Sequence, residues 1–188
     1  MTVKEQLDFS ELHLDGSHTL AKKGGESVAY QPRKRAKTSN LLPLVEAQGY
    51  VVATTGIITG SHHDAFDLKS HLQMAFRFIK RLGLTIAGAY FNADAAFDTK
   101  AARKVCFNHG VIPNIAENPR NRKQPKRGRP RLFAPDVYQH RFGTGERPFA
   151  WLDKFRALLI RFDREDAFFL GGHYIAYAMI NLRHVLAQ

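Results

Sequence analysis

At 188 residues and 44% apolar side chains, the chain is long enough to bury one core and is expected to form a single domain over residues 1–188. Twenty-eight Lys and Arg against 17 Asp and Glu leave a formal charge of +11, which calls for a polyanionic partner, nucleic acid first. The start, Met1–Ser10, is polar and acidic, and the longest uncharged stretch, Ala167–Leu182, falls short of the ~18 apolar residues of a spanning helix; these features argue against secretion and membrane insertion and predict a cytoplasmic, nucleoid-associated protein.

Leu12–Leu14 reads as a short strand that ends on Asp15. Gly24-Gly25 marks a turn, and Arg33, Lys34, Arg35 and Lys37 form a basic cluster. Asn40–Ala47 and Tyr50–Ile58, rich in β-branched residues, flank the turn-like Gln48-Gly49 and predict an antiparallel hairpin. Ser61 stands three residues before Asp64, a capping-box spacing, and Leu68, Leu72, Ala75, Ile79 and Leu82 recur at helical intervals up to Gly83. Thr85–Phe91 is the next strand and delivers Asp94. Asp98 is expected to cap a helix that stops at His109-Gly110, with Ala102, Val105 and the single Cys106 on its buried face. Val111–Ile115 reads as a fifth strand.

From about 118 to 135 the pattern breaks into a basic, proline-punctuated arm. Helices resume after Tyr138. Trp151, Phe155, Leu158 and Phe162 are expected on one face of a helix opened by Glu146, and a buried closing helix is expected to run to Leu186. The order predicts an α/β fold with a mixed five-stranded sheet flanked by helices.

Two aspartates at strand ends and a glutamate on a helix are the materials of a two-metal phosphoryl-transfer site, because magnesium and manganese prefer hard oxygen ligands held on rigid elements. Each acid alone has a plainer explanation. Asp15 precedes a glycine as turn residues do, Asp94 could open a loop, and Glu146 could favour a helix N-terminus.

The surrounding words are more specific: LDGSHTLAKKGGESVAYQPRKRAKTSN, TGSHHDAFDL, FNADAAFD and ERPFAWLDKFRALLIRFD. From about Asp15 to Leu186 the chain resembles the DDE transposases of bacterial insertion sequences, most closely the insertion-sequence-five group. The resemblance implies a ribonuclease-H-like catalytic domain that cleaves element ends and transfers strands into target DNA. It assigns Asp15, Asp94 and Glu146 as catalytic and metal-binding, with Mg2+ or Mn2+, two ions, as cofactor. The partners it implies are DNA and a second copy of the chain in a homo-oligomer.

The family's spacing runs tyrosine, two residues, arginine, three residues, glutamate, then a basic residue. Tyr138 and Arg141 fit, while Glu146 and Lys154 each lie one residue late after Phe142-Gly143-Thr144-Gly145, with Pro148 following. Gly143 and Gly145 are expected to absorb the extra residue, because Glu146 keeps its five-residue offset from Trp151; Asp153 and Asp98 are the fallback third acids. Only some ten residues precede the first strand, where full-length family members carry a helical end-recognition region. That region is read as absent, or as supplied by an upstream DNA-binding segment from an overlapping frame.

His62, His63 and Asp64 lack the distant partners of a tetrahedral zinc site and are read as a helix start or a DNA-facing element. Arg120, Arg122, Lys123, Lys126, Arg127, Arg129 and Arg131 are expected to neutralise phosphates, and Arg127-Gly128-Arg129-Pro130 resembles the minor-groove core of an AT-hook. Arg33, Lys34, Arg35, Lys37, Tyr138, Arg141 and Lys154 complete the expected DNA-contact set. The competing reading is a catalytically inactive DNA-binding remnant or transposition regulator.

Overall fold

The structure, a computed structural model, describes residues 6–118 and 131–186. The chain enters as β1 (Glu11–Leu14), passes Asp15-Gly16 and continues as β2 (Ser17–Ala21). β3 (Ala29–Gln31) and β4 (Ala36–Leu41) form a hairpin, followed by β5 (Pro43–Glu46), β6 (Val51–Thr54) and β7 (Ile58–Thr59). Helix α1 (Leu68–Arg81), β8 (Tyr90–Ala93), α2 (Lys100–Asn108) and β9 (Ile112–Ile115) come next. The last part comprises α3 (Pro135–His140), a π-helical turn (Arg141–Gly145), α4 (Arg147–Leu152), α5 (Arg156–Leu159), β10 (Ile160–Arg161) and α6 (Asp166–Leu186).

Five strands form a central sheet in the order β6-β5-β1-β8-β9. β6, β5 and β1 pair antiparallel, while β1, β8 and β9 are parallel, as the β8–α2–β9 crossover requires. This is the mixed, helix-flanked, ribonuclease-H-like sheet that the element order predicts. Strand alternation sends Leu12, Leu14, Phe91 and Ala93 to one face, where they meet Leu72, Phe76 and Ile79 of α1 and Cys106 of α2 in the main core. On the opposite side Val45 and Val51 pack against Leu152, Ala176, Tyr177 and Ile180 from α4 and α6. α1 ends as its sequence suggests, with Lys80 and Arg81 in the last turn and Gly83 at φ 72°.

A second sheet, β10-β2-β4-β3 with β7 on β4, continues beyond the first. β1 pairs with β5 up to Leu14↔Leu44, and β2 pairs with β4 from Ser17↔Leu41. The two long arms therefore change sheets together, at Asp15-Gly16 and at Leu42. Asp15 stands at that corner.

Several expectations are corrected. The strand expected over Asn40–Ala47 is split by Leu42, β2 and β3 lie in stretches for which no strand is expected, and β10 stands where a helix is expected, because short, half-exposed strands carry little apolar alternation. Ser61–Asp64 is no capping box: α1 starts at Leu68 after Asp67 in left-handed backbone at φ 43°, and the Asp67 carboxylate accepts from Ser70 Oγ. Thr99, not Asp98, caps α2, accepting from the Ala102 N–H at 3.0 Å. The helix expected through Phe162 stops at Leu152, and although Trp151, Phe155 and Leu158 still pack on the second cluster, Phe162 is 59% exposed. α6 buries Phe169, His173, Ala176, Tyr177 and Ile180 but leaves Ile175, Met179 and Leu182 exposed, so it is only half-buried. None of the described helices is long and apolar enough to cross a membrane.

Arg161 shows why β10 belongs to the second sheet. Its side chain is fully buried, yet its guanidinium donates to Ser39 Oγ (2.7 Å), the Asp163 carbonyl (2.9 Å) and Asp166 Oδ1 (2.8 Å), and lies over the Phe169 ring. A buried charge persists only when paired and bonded in this way.

Candidate active site at the strand ends

β1 and β8 run parallel with Leu14 opposite Ala93, so the next residue of each strand, Asp15 and Asp94, leaves the sheet side by side. Alternation places both on the face that carries Glu11, His13, Asn92 and Asn114, because Leu14 and Ala93 are spent on the core. Each carboxylate accepts the N–H of the following residue, Gly16 for Asp15 (2.8 Å) and Ala95 for Asp94. Burial pushes the Asp15 carboxyl above its ordinary range, with the negative charges of Asp94 and Asp64 adding to the effect. The Gly16 N–H and Arg141 oppose it.

The polar face is wired from strand to strand. Asn114 Nδ2 donates to Asn92 Oδ1 at 2.7 Å, and Asn92 Nδ2 reaches Glu11 Oε2 (3.2 Å) and His13 Nδ1 (3.3 Å). Asn114 also holds the backbone of Ala134 through two bonds, and His140 pairs with Glu11 at 2.7 Å. These links lay α3 and the π-helical turn across the sheet. His13, buried beneath them, is lowered to about 4 by its burial and by His140 and Arg141.

Arg141 belongs to the same site. Its guanidinium lies 3.5 Å from the Asp15 carboxylate, donates to Tyr138 Oη at 3.3 Å, and sits over the Tyr138 and Phe142 rings. Arg141–Gly145, the segment in which Gly143 and Gly145 are expected to absorb an extra residue, is a π-helical turn, which holds more residues than an α turn. Gly145 permits the turn to lie against β1, since a Cβ there would stand 3.3 Å from His13 Cβ.

Glu146 follows at the start of α4, exposed to solvent. The charges that most affect Asp15 are Arg141, Asp94 and Asp64. Among the described residues no group of three or more His, Cys, Asp or Glu side chains gathers to hold a metal ion. The structure thus brings two of the three expected acids together. The fallback acid Asp98 is committed elsewhere, to Arg103 (2.8 Å) and Arg131 (2.8 Å), and Asp153 lies exposed just beyond α4.

Asp64, expected at a helix start or a DNA-facing element, instead joins this corner. It packs against Gly16, where a Cβ would lie 3.1 Å from Asp64 Oδ1, and it accepts from Asn40 Nδ2 at 2.7 Å with His18 Nε2 at 3.2 Å. The His18 bond is the main cause holding its carboxyl below the ordinary range against burial. The word GSHHD carries the signal, but its long-range partners on β2 and β4 are not legible in one dimension.

Arg33, Lys34, Arg35 and Lys37 occupy the exposed tip of the β3–β4 hairpin, and the charge of Arg33 reaches Asp64. Arg120, Arg122, Lys123, Lys126, Arg127 and Arg129, with the AT-hook-like segment, lie outside the described residues. Arg131 is held by Asp98, which also accepts the Asn118 N–H at 3.3 Å, so both ends of the basic arm are tied four residues beyond Asp94. Tyr138 serves Arg141, and Lys154 lies 3.8 Å above the Trp151 ring. His62 stacks on Phe66 at 3.6 Å.

No family model matches the sequence, and no curated protein matches it at a significant level. Among solved structures, the chain is similar to piggyBac transposase in a synaptic complex with hairpin DNA, at 14% identity and a TM-score of 0.43, over 64% of this chain and 27% of that one. It is also similar to Mos1 transposase in a paired-end complex with the left transposon end, at 17% identity and a TM-score of 0.41, over 94% of this chain and 55% of that one. A Mos1 mariner paired-end complex with Mn gives 17% identity and a TM-score of 0.40, over 93% and 55%. The chain therefore spans between about a quarter and about half of the lengths of these proteins.

Proposed function

We propose that this chain is the catalytic domain of a DDE-type DNA transposase of the insertion-sequence-five kind, cleaving element ends and joining the freed 3′ hydroxyl to target DNA. The observation that carries the reading is the parallel register that sets Asp15 beside Asp94 at one corner of the sheet. Their donor set suits a hard divalent cation, and Asp15 and Asp94 would hold it, with Glu146 as the third ligand on α4. Bound there, a pair of Mg2+ or Mn2+ ions would stabilise charge on the attacking and leaving oxygens. Arg141 balances the Asp15 charge until then. The hairpin tip, with the arm rooted at Asp98, grips the phosphates and so leaves chemistry and affinity on separate residues.

A second reading, a DNA-binding remnant or regulator without activity, is favoured by one observation: among the described residues no group of three or more His, Cys, Asp or Glu side chains gathers to hold a metal ion. A nicking assay on supercoiled DNA with magnesium decides between them. Asp94→Asn should abolish cleavage while leaving DNA affinity nearly unchanged, and Glu146→Gln should be equally inactive. Cutting by Asp94→Asn at the parental rate would remove the catalytic reading. An inactive parent that still binds DNA would establish the regulator.

A further inference from the structure

A second cationic site lies away from Asp15 and Asp94. Between the β5–β6 turn, α4 and the end of α6 is a cavity of about 90 Å³ lined by Gly49, Arg147, Trp151, Arg183 and His184. Arg183 lies over the Trp151 ring with its carbon 4.2 Å from the centroid, and Arg147 gives one N–H to the Gln48 carbonyl at 3.2 Å. Among the described residues neither arginine has an ion-pair partner, so the positive charge gathered here is not neutralised from within. Burial, and after it the Arg147 charge, hold His184 below its ordinary range.

Packing alone explains these residues poorly. A cation over an indole gains from the ring quadrupole but keeps its full charge, and two solvent-exposed guanidinium groups beside one cavity make it an attractive place for an anion. Guanidinium groups suit a tetrahedral oxyanion because their forked N–H donors match its oxygens.

We propose that Arg147, Arg183 and His184 form a phosphate-binding pocket for the DNA backbone, distinct from the site at Asp15 and Asp94. This rests on the proposed function for the source of the phosphate, although not for the pocket itself. The β5–β6 turn follows Glu46, which pairs with Leu12, whereas Asp15 follows Leu14 at the other end of β1. The phosphate held here is therefore a flanking one, and α4 spans the interval from the turn above His13 to the pocket. A strand running along α4 would be fixed at both ends, which sets register without touching a base.

Trp151 is the sole tryptophan, so the full chain reports on the pocket through its own emission. Titrated with inorganic phosphate at constant ionic strength, the parent should show a saturable change that chloride does not produce. Arg147→Gln with Arg183→Gln should abolish it, and Arg183→Lys should retain it more weakly; circular dichroism checks that these exposed substitutions leave the fold intact. A response equal to that of chloride, or one kept by the double variant, overturns the pocket. For DNA, a short duplex should bind the double variant with a log affinity against log salt slope reduced by about 0.9 for each phosphate no longer neutralised. An abolished phosphate response with an unaltered slope shows a site for free phosphate and overturns the DNA source. A parent that responds to phosphate yet binds no duplex refutes the transposase reading while the pocket stands.

Discussion

Replacing Glu46 with glutamine should make the protein less sensitive to rising pH. The Glu46 side chain is fully buried and accepts N–H bonds from Asp8 (2.7 Å), Gln48 (2.8 Å) and Tyr50 (2.9 Å), closing the β5–β6 turn. Burial nonetheless outweighs those bonds and lifts its carboxyl from 4.5 to about 7. Between those values the folded chain keeps a proton that the unfolded chain has released. Its stabilising contribution is then complete below about 4.5 and is lost as pH rises through about 7; at 1.36 kcal/mol per unit the gap amounts to about 3 kcal/mol. Buried histidines act in the opposite sense, His13 above all, since lowering it from 6.5 to about 4 favours the folded state as pH rises to 6.5. The difference between parent and Glu46→Gln cancels the histidines. Glutamine can accept only through its oxygen and leaves one N–H facing a donor, an offset that does not vary with pH. Urea denaturation from pH 5 to 8, a window that misses the part of the effect below pH 5, should show the variant gaining about 2.5 kcal/mol relative to the parent. A difference that stays flat would mean that the three N–H bonds hold Glu46 ionised throughout, and the reasoning fails.

Arg161→Met should cost about 3–5 kcal/mol in the same assay, because Ser39 and Asp166 lose their buried partner; a loss below about 1 kcal/mol would show that the β10 edge is held by its backbone alone. Gly60→Ala should prevent folding, since a Cβ would collide with the Thr38 carbonyl oxygen, whereas Gly24→Ala, with nothing within 4 Å, should stay within about 0.5 kcal/mol of the parent; equal melting temperatures would contradict that packing. Arg127→Ala with Arg129→Ala should lower the salt slope of DNA binding by about 0.9 for each phosphate left without its cation and weaken A·T-rich duplexes most. An unaltered slope would leave the arm without a role in binding.

The sequence by itself determined the elements whose information is local. Leu68, Leu72, Ala75 and Ile79 fall on one helical face and are buried there, and Gly83 stops the helix with the backbone that glycine adopts most easily. The short strand before Asp15 is legible because its apolar run ends on a carboxylate, and β5–β6 because both sides of Gln48-Gly49 are apolar; the strand before Asp94 is displaced to Tyr90–Ala93 from the expected Thr85–Phe91, since a turn at Ala87-Gly88 interrupts that run. What only the tertiary structure decided depends on residues far apart in the chain. Asp64 reaches the Asp15 corner because β2 and β4 offer it His18 and Asn40, and Arg161 becomes a core residue because Ser39 lies 122 positions away in sequence but 2.7 Å away in space. The second sheet is not legible because half-exposed strands need no apolar alternation, and the helix expected through Phe162 breaks because β10 pairs with β2. The π-helical turn before Glu146 is not legible either: it depends on Gly145 finding room against His13, a contact between segments that the sequence separates by 132 positions.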